Sequence, residues 1–154
     1  MYGMGEEELV LLFKNGVSDF KRWARKADKS SEEWETEYPN WNWQYHHTGN
    51  LLQELSVERW NEELIEDFLY ILARDNEVEN IIENLIDLPN QLLSLTKYAL
   101  IYSDADAKWQ VAYALGEIKG ENLLIRMYLS DFLNDEQEYV RRRASFALDK
   151  HGTQ

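Results

Sequence analysis

The chain contains no cysteine, and only two prolines and seven glycines in 154 residues. Without cysteine, disulfides, thiolate zinc sites and a cysteine nucleophile are excluded. Scarce proline and glycine argue against a loop-rich, all-β or low-complexity chain. Long apolar runs are missing too. The longest, Leu9–Phe13, is far below the roughly 20 residues that span a bilayer, so no membrane association is expected. Glu6–Glu8 stand near the start of the chain, where a secretory signal would need a basic stretch followed by an apolar one. The expectation is a cytoplasmic protein.

Basic residues are missing from one region in particular. Residues 31–90 hold 15 acids and two bases, Arg59 and Arg74, a net charge of −13. Residues 1–30 are at +1 and residues 91–154 at −1, so the middle segment accounts for the net −13 of the whole chain. Acidic charge segregated in this way makes a directional field that steers a basic partner. The plain alternative is a well-solvated acidic surface.

What is present is helical periodicity. Apolar residues are 44% of the chain, enough for a core. Over Val57–Arg74, Trp60, Leu64, Ile65, Phe68, Leu69, Ile71 and Leu72 fill one half of a helical wheel. Arg59, Glu62, Glu63, Glu66, Asp67 and Tyr70 fill the other, with Ser56 as the expected N-cap. Glu62 and Glu66 are four apart, as are Glu63 and Asp67, and like charges at that spacing repel. A second helix is expected over 77–87, with Val78, Ile81, Ile82, Leu85 and Ile86 inward and Glu77, Glu79, Glu83 and Asp87 outward. Pro89 ends it. Further helices are expected over 90–102, after Asp104, over 121–133, and from Asp135 to a stop at Gly152. The N-terminal third is helical but less regular, with an apolar face through Leu9, Leu12 and Phe13 that resumes after Gly16 at Val17, Phe20, Trp23, Ala24 and Ala27. A short helix, a loop at Tyr38-Pro39-Asn40 and a new helix from Trp41 follow. Period-two alternation is nowhere sustained, so the fold class is all-α.

A shift of 33 residues superposes Ala107 on Val140, Lys108 on Arg141, Val111 on Ala144, Tyr113 on Phe146, and Ala114-Leu115 on Ala147-Leu148. A helix pair recurring at fixed spacing is the signature of an α-solenoid. On these residues, residues 90–152 resemble the HEAT-like repeat family, and short bacterial HEAT-like repeats in particular. The length is that of a single domain, 1–154, and the resemblance implies its form. It would be a short right-handed α-solenoid of about three helix pairs (57–154) behind an irregular, aromatic-rich N-terminal cap (1–56). It also implies a concave surface of second helices that binds another macromolecule.

Catalytic patterns are missing: no glycine-rich phosphate loop, no Gly-x-Ser-x-Gly elbow, no His-Glu-x-x-His. The adjacent His46 and His47 point about 100° apart on a helix, so they do not chelate one ion together. Neither a metal nor another cofactor is expected, nor catalysis. Three groups are candidates for contact. The acidic face comprises Glu62, Glu63, Glu66, Asp67, Glu77, Glu79 and Glu83. Trp41, Trp43 and Tyr45 are aromatic candidates in a segment that reads either as a core-sealing cap or as a binding surface. Lys108, Arg141 and Arg142, from a basic run ending at Arg143, offer a concave basic contact or pair with an acidic helix. The leading expectation is a protein-binding module, of the inhibitor or immunity type, that masks a basic partner. The alternatives are a scaffold or lyase-like subunit of a larger complex and, less favoured by the charge, a HEAT-like DNA glycosylase or other nucleic-acid binder. The oligomeric state is left open.

Overall fold

The computed structural model describes residues 2–151, and among these every regular element is helical. The helices are α1 (Met4–Lys26), α2 (Trp41–Glu54), α3 (Glu62–Arg74), α4 (Asn80–Ile86), α5 (Pro89–Ala99), α6 (Ala105–Glu117), α7 (Leu123–Phe132) and α8 (Glu138–Lys150). Short 3-10 turns occupy Trp34–Glu37 and Val57–Arg59. The stop expected at Gly152 lies outside the described residues. No described helix is long and apolar enough to cross a membrane.

The chain divides into two compact units, one up to residue 81 and one from residue 82. That division falls inside α4, whereas the sequence reading separates a cap from helix pairs at residues 56–57.

In the first unit, α1 packs on α2 and α3. It runs unbroken through Gly16, so the two apolar stretches of the N-terminal third belong to one helix. Phe13, Val17 and Phe20 form its buried stripe. Phe13 stacks against Phe68 of α3 at 6.1 Å. Gly16 permits the close approach of α2: a Cβ there would stand 2.7 Å from the Trp43 ring and would also strike the Gln44 amide.

The starts of α3 and α4 differ from the sequence reading, and side-chain acceptors before each helix account for both. Ser56 caps only the 3-10 turn, accepting from the Glu58 N–H, and the chain is extended again at Trp60. Asn61 is the N-cap of α3, its side chain accepting from the Leu64 N–H at 2.9 Å. Helix α4 begins at Asn80 rather than residue 77, because Glu79 has left-handed backbone, φ 60°. The buried Asp75 carboxylate organises this turn, accepting from the Ile81 N–H at 2.9 Å. Val78, expected inside, is therefore outside the helix and exposed.

In the second unit, α6 packs on α5, α7 and α8, and α8 also packs on α7. Asp104 caps α6 as expected, accepting from the Asp106 N–H. Ala107, Val111, Ala114 and Leu115 are buried, as are Val140, Ala144 and Ala147 of α8. Small residues let these two helices come close. A Cβ on Gly116 would lie 2.7 Å from the Ala147 Cβ and 2.8 Å from its Cα. Glu117 and Lys150 pair beside that contact. The buried His151 accepts from the Asn122 N–H at 3.1 Å, tying the end of α8 to the start of α7. Helix α8 starts at Glu138 and α7 at Leu123, each two or three residues later than the apolar pattern suggests.

Candidate functional site

The acidic residues of α3 separate into two pairs. Glu63 and Asp67 face α1, and both accept hydrogen bonds from Lys14, at 3.1 Å for Asp67. Lys21 stands 3.7 Å from the other Asp67 oxygen. Partial burial disfavours the Lys14 charge, but the bonds to Glu63 and Asp67 outweigh it and hold its pKa above the ordinary value. The Lys14 bond lowers that of Glu63. Two of the four acidic candidates on α3 are thus answered from within the unit, because α1 brings the bases that residues 31–90 lack. Arg59 likewise pairs with Glu6, 3.0 Å from Nη2 to Oε1.

Glu62 and Glu66 are different. Both are exposed and stand one turn apart on the solvent side of α3. The helix tolerates their repulsion easily. Leu64, Ile65, Phe68, Leu69, Ile71 and Leu72 are buried beneath them, each worth about 1.5–3 kcal/mol. The like-charge pair costs about 0.2–0.5 kcal/mol. Burial determines the helix; Glu62, in its first turn, also favours the helix dipole, and neither acid takes part in the packing. Of the other acidic candidates, Glu77 is exposed and Glu79 half-buried in the left-handed turn. Glu83 belongs to the second unit and accepts from the Tyr113 hydroxyl at 3.2 Å.

The aromatic candidates divide by helix face. Trp41 packs against Phe20, Tyr38 and Tyr45, and its ring N–H donates to the Glu35 carbonyl. Phe20 is the hub of this cluster, touching Trp23, Trp34, Tyr38, Trp41 and Tyr70. The Tyr45 hydroxyl donates to Asp75 at 2.7 Å. Burial raises the pKa of both groups and outweighs the hydrogen bonds that favour the Asp75 anion. Trp41 and Tyr45 are therefore packing residues of this unit. Trp43, two positions from each, is 40% exposed and lies 3.9 Å from the His47 ring. Burial, and then the neighbouring His46, lower the pKa of His47.

The basic candidates of α6 and α8 are committed locally. Lys108 donates to Asp135 at 2.7 Å. Arg141 donates to the Asp135 and Glu136 carbonyls, capping the turn before α8. Arg142 forks onto Glu138 one turn back. The residue left off the candidate set, Arg143, has the more unusual setting. Its guanidinium lies 5.1 Å from the Tyr113 ring, 5.2 Å from Trp109 and 5.8 Å from Tyr139. The signal was present in the spacing. Trp109 and Tyr113 are one turn apart, as are Tyr139 and Arg143, on the two helices that the 33-residue repeat aligns.

No known protein family, no curated protein and no solved structure matches this chain.

Function therefore rests on the chain's own surfaces. Among the described residues, no three His, Asp or Glu side chains gather closely enough to hold a metal ion. What the arrangement offers is contact. One surface is the outer pair Glu62 and Glu66. Another is the α6–α8 face, where Arg143 and its rings adjoin a cavity of about 200 Å³ lined by Phe146 and Lys150. Arginine and large aromatics are the residue types that dominate protein–protein binding energy.

Proposed function

We propose that the chain is a non-catalytic protein-binding module of HEAT-like helix pairs that masks a basic partner, in the manner of an inhibitor or immunity protein. The observation that carries the binding role is the outer acidic pair of α3. Glu62 and Glu66 are exposed and mutually repulsive, and they contribute nothing to the packing beneath them. The acids beside them, Glu63 and Asp67, are neutralised by α1. A cationic surface is the partner that turns the remaining repulsion into attraction and accelerates encounter. The helix-pair reading is supported by the second unit. Its α6 and α8 meet through small residues 31 positions apart, Gly116 and Ala147, close to the 33-residue spacing of the sequence pattern. Nucleic acid is disfavoured by a net charge of −13. A cytoplasmic setting fits the absence of cysteine.

The test is capture from lysate of the source cell at low and moderate salt, using the protein and its E62K/E66K variant as baits. The expected result is a basic protein captured by the first bait, weakened by salt and lost with the second. Identical, salt-insensitive capture by both baits refutes the acidic-face reading. A scaffold role is favoured by one other observation. Helix α7 exposes Leu123 and Met127, at 75% and 56%, on one face. Recovery of several subunits of one assembly by both baits would select that reading.

A further inference from the structure

The C-terminal half of α1 and the residues just after it carry five cations in an otherwise acidic protein. Two are spoken for. Lys21 stands near Asp67 and over the Tyr70 ring. Lys29 donates to the Ala24 carbonyl and lies over Trp34. The other three, Arg22, Arg25 and Lys26, line a cavity of about 430 Å³ whose walls include Trp23, Tyr38 and Pro39. A second cavity of about 350 Å³, lined by Asn15, Gly16 and Trp43, adjoins it. Asp19, Arg22 and Asn40 border both. Each is within the range of ligand pockets, roughly 300–1,000 Å³.

The junction between the two lobes is hydrogen-bonded. Asp19 Oδ2 accepts from the Tyr38 hydroxyl at 2.6 Å and from the Asn40 amide at 2.9 Å. These bonds, Tyr38 first, hold its pKa below the ordinary value. Oδ1 receives a 3.3 Å bond from Arg22. Arg25 and Lys26 are exposed and form no ion pair among the described residues. Bases in the last turn of a helix favour its dipole, but that role needs no aromatic walls. Nor does it explain the second lobe, where Gly16 is kept without a side chain by the closeness of Trp43 and Gln44.

We propose that this two-lobed groove binds an extended acidic peptide segment. Its carboxylates would meet Arg22, Arg25 and Lys26, its backbone would run along Asp19 and Asn40, and its apolar groups would lie against Trp23 and Trp43. Two adjoining lobes suit an elongated ligand better than a compact one. Asp19 at their junction can accept a peptide N–H, a donor that phosphate lacks. The groove shares no residue with the outer face of α3, so the two surfaces are separable by mutation.

The test uses a fluorescein-labelled (Glu-Leu-Glu)3 peptide, followed by anisotropy at low and moderate salt. Saturable binding is expected, weakened by salt and at least tenfold weaker in R25E/K26E. Both substituted side chains are exposed, and far-UV circular dichroism confirms that the variant is folded. If it is not, R22Q/K26Q takes its place with the same expectation. Three results overturn the proposal: no binding at low salt, binding undiminished in the folded variant, or displacement by tripolyphosphate at lower concentration than by unlabelled peptide. Self-association of the protein that R25E/K26E abolishes also overturns it, since a second copy then fills the groove.

Discussion

Replacing Gly116 with alanine tests the close contact of α6 with α8 most directly. In an open helix, glycine to alanine stabilises by about 0.8–1 kcal/mol, because the unfolded chain loses less freedom. At Gly116 the new Cβ would lie 2.7 Å from the Ala147 Cβ and 2.8 Å from its Cα. Neither atom is the end of a flexible side chain, so the two helices must separate by the better part of an ångström. Overpacking of this kind costs about 1–3 kcal/mol, which offsets or exceeds the helical gain. The expected net loss is up to about 2 kcal/mol, or up to roughly 8 °C in Tm for a chain of this size, and about 1–3 kcal/mol relative to an unhindered glycine-to-alanine change. Gly5 of α1 supplies the control, since a Cβ there meets nothing within 4 Å. The assay is thermal and urea unfolding by circular dichroism of the protein, G116A and G5A. A G116A variant as stable as G5A would refute the close packing of α6 on α8.

Asn61→Ala should cost about 1 kcal/mol in urea unfolding, the usual loss of an N-cap. Ser56→Ala should cost clearly less, since Ser56 caps only a 3-10 turn; equal losses would return the start of α3 to the position read from the sequence. Asp75 has its carboxyl pKa raised by burial. The folded state therefore binds more protons there than the unfolded state, and this contribution to stability falls as pH rises above the ordinary carboxylate range. D75N, with an amide that can still bond Tyr45 and the Ile81 N–H, should flatten that part of the pH dependence measured by urea midpoints. An unchanged slope would refute the assignment.

The helical class, the Asp104 cap and the buried stripe of α3 follow from local periodicity, and the sequence displays them openly. The boundaries it obscured depend on side chains competing for the same backbone groups. Ser56 and Asn61 both cap, and only the fold shows that the chain is extended between them. The acidic face shows a different limit. A wheel shows Glu62, Glu63, Glu66 and Asp67 together on one side. It does not show that Lys14, 49 residues before Glu63, will lie across two of them. Trp41 and Trp43 were separable by period alone, and the structure separates them. Arg143 was passed over because one basic run contributes three arginines whose roles differ by 100° steps around the helix.

The reach of α1 sets an order of events during synthesis. Its apolar stripe, Phe13, Val17 and Phe20, is complete when residue 26 has been made, yet Phe68 and Leu72 of α3 come more than 40 residues later. At the usual 5–20 residues per second that is a wait of roughly 2–10 s, long compared with the microseconds in which a helix forms. Helix α2 arrives sooner and covers the Phe20 end through Trp41, and in the second unit Ala147 of α8 follows its contact Gly116 of α6 by 31 residues. The Phe13 end of the N-terminal helix is thus the stretch that a nascent-chain chaperone would meet bare for longest.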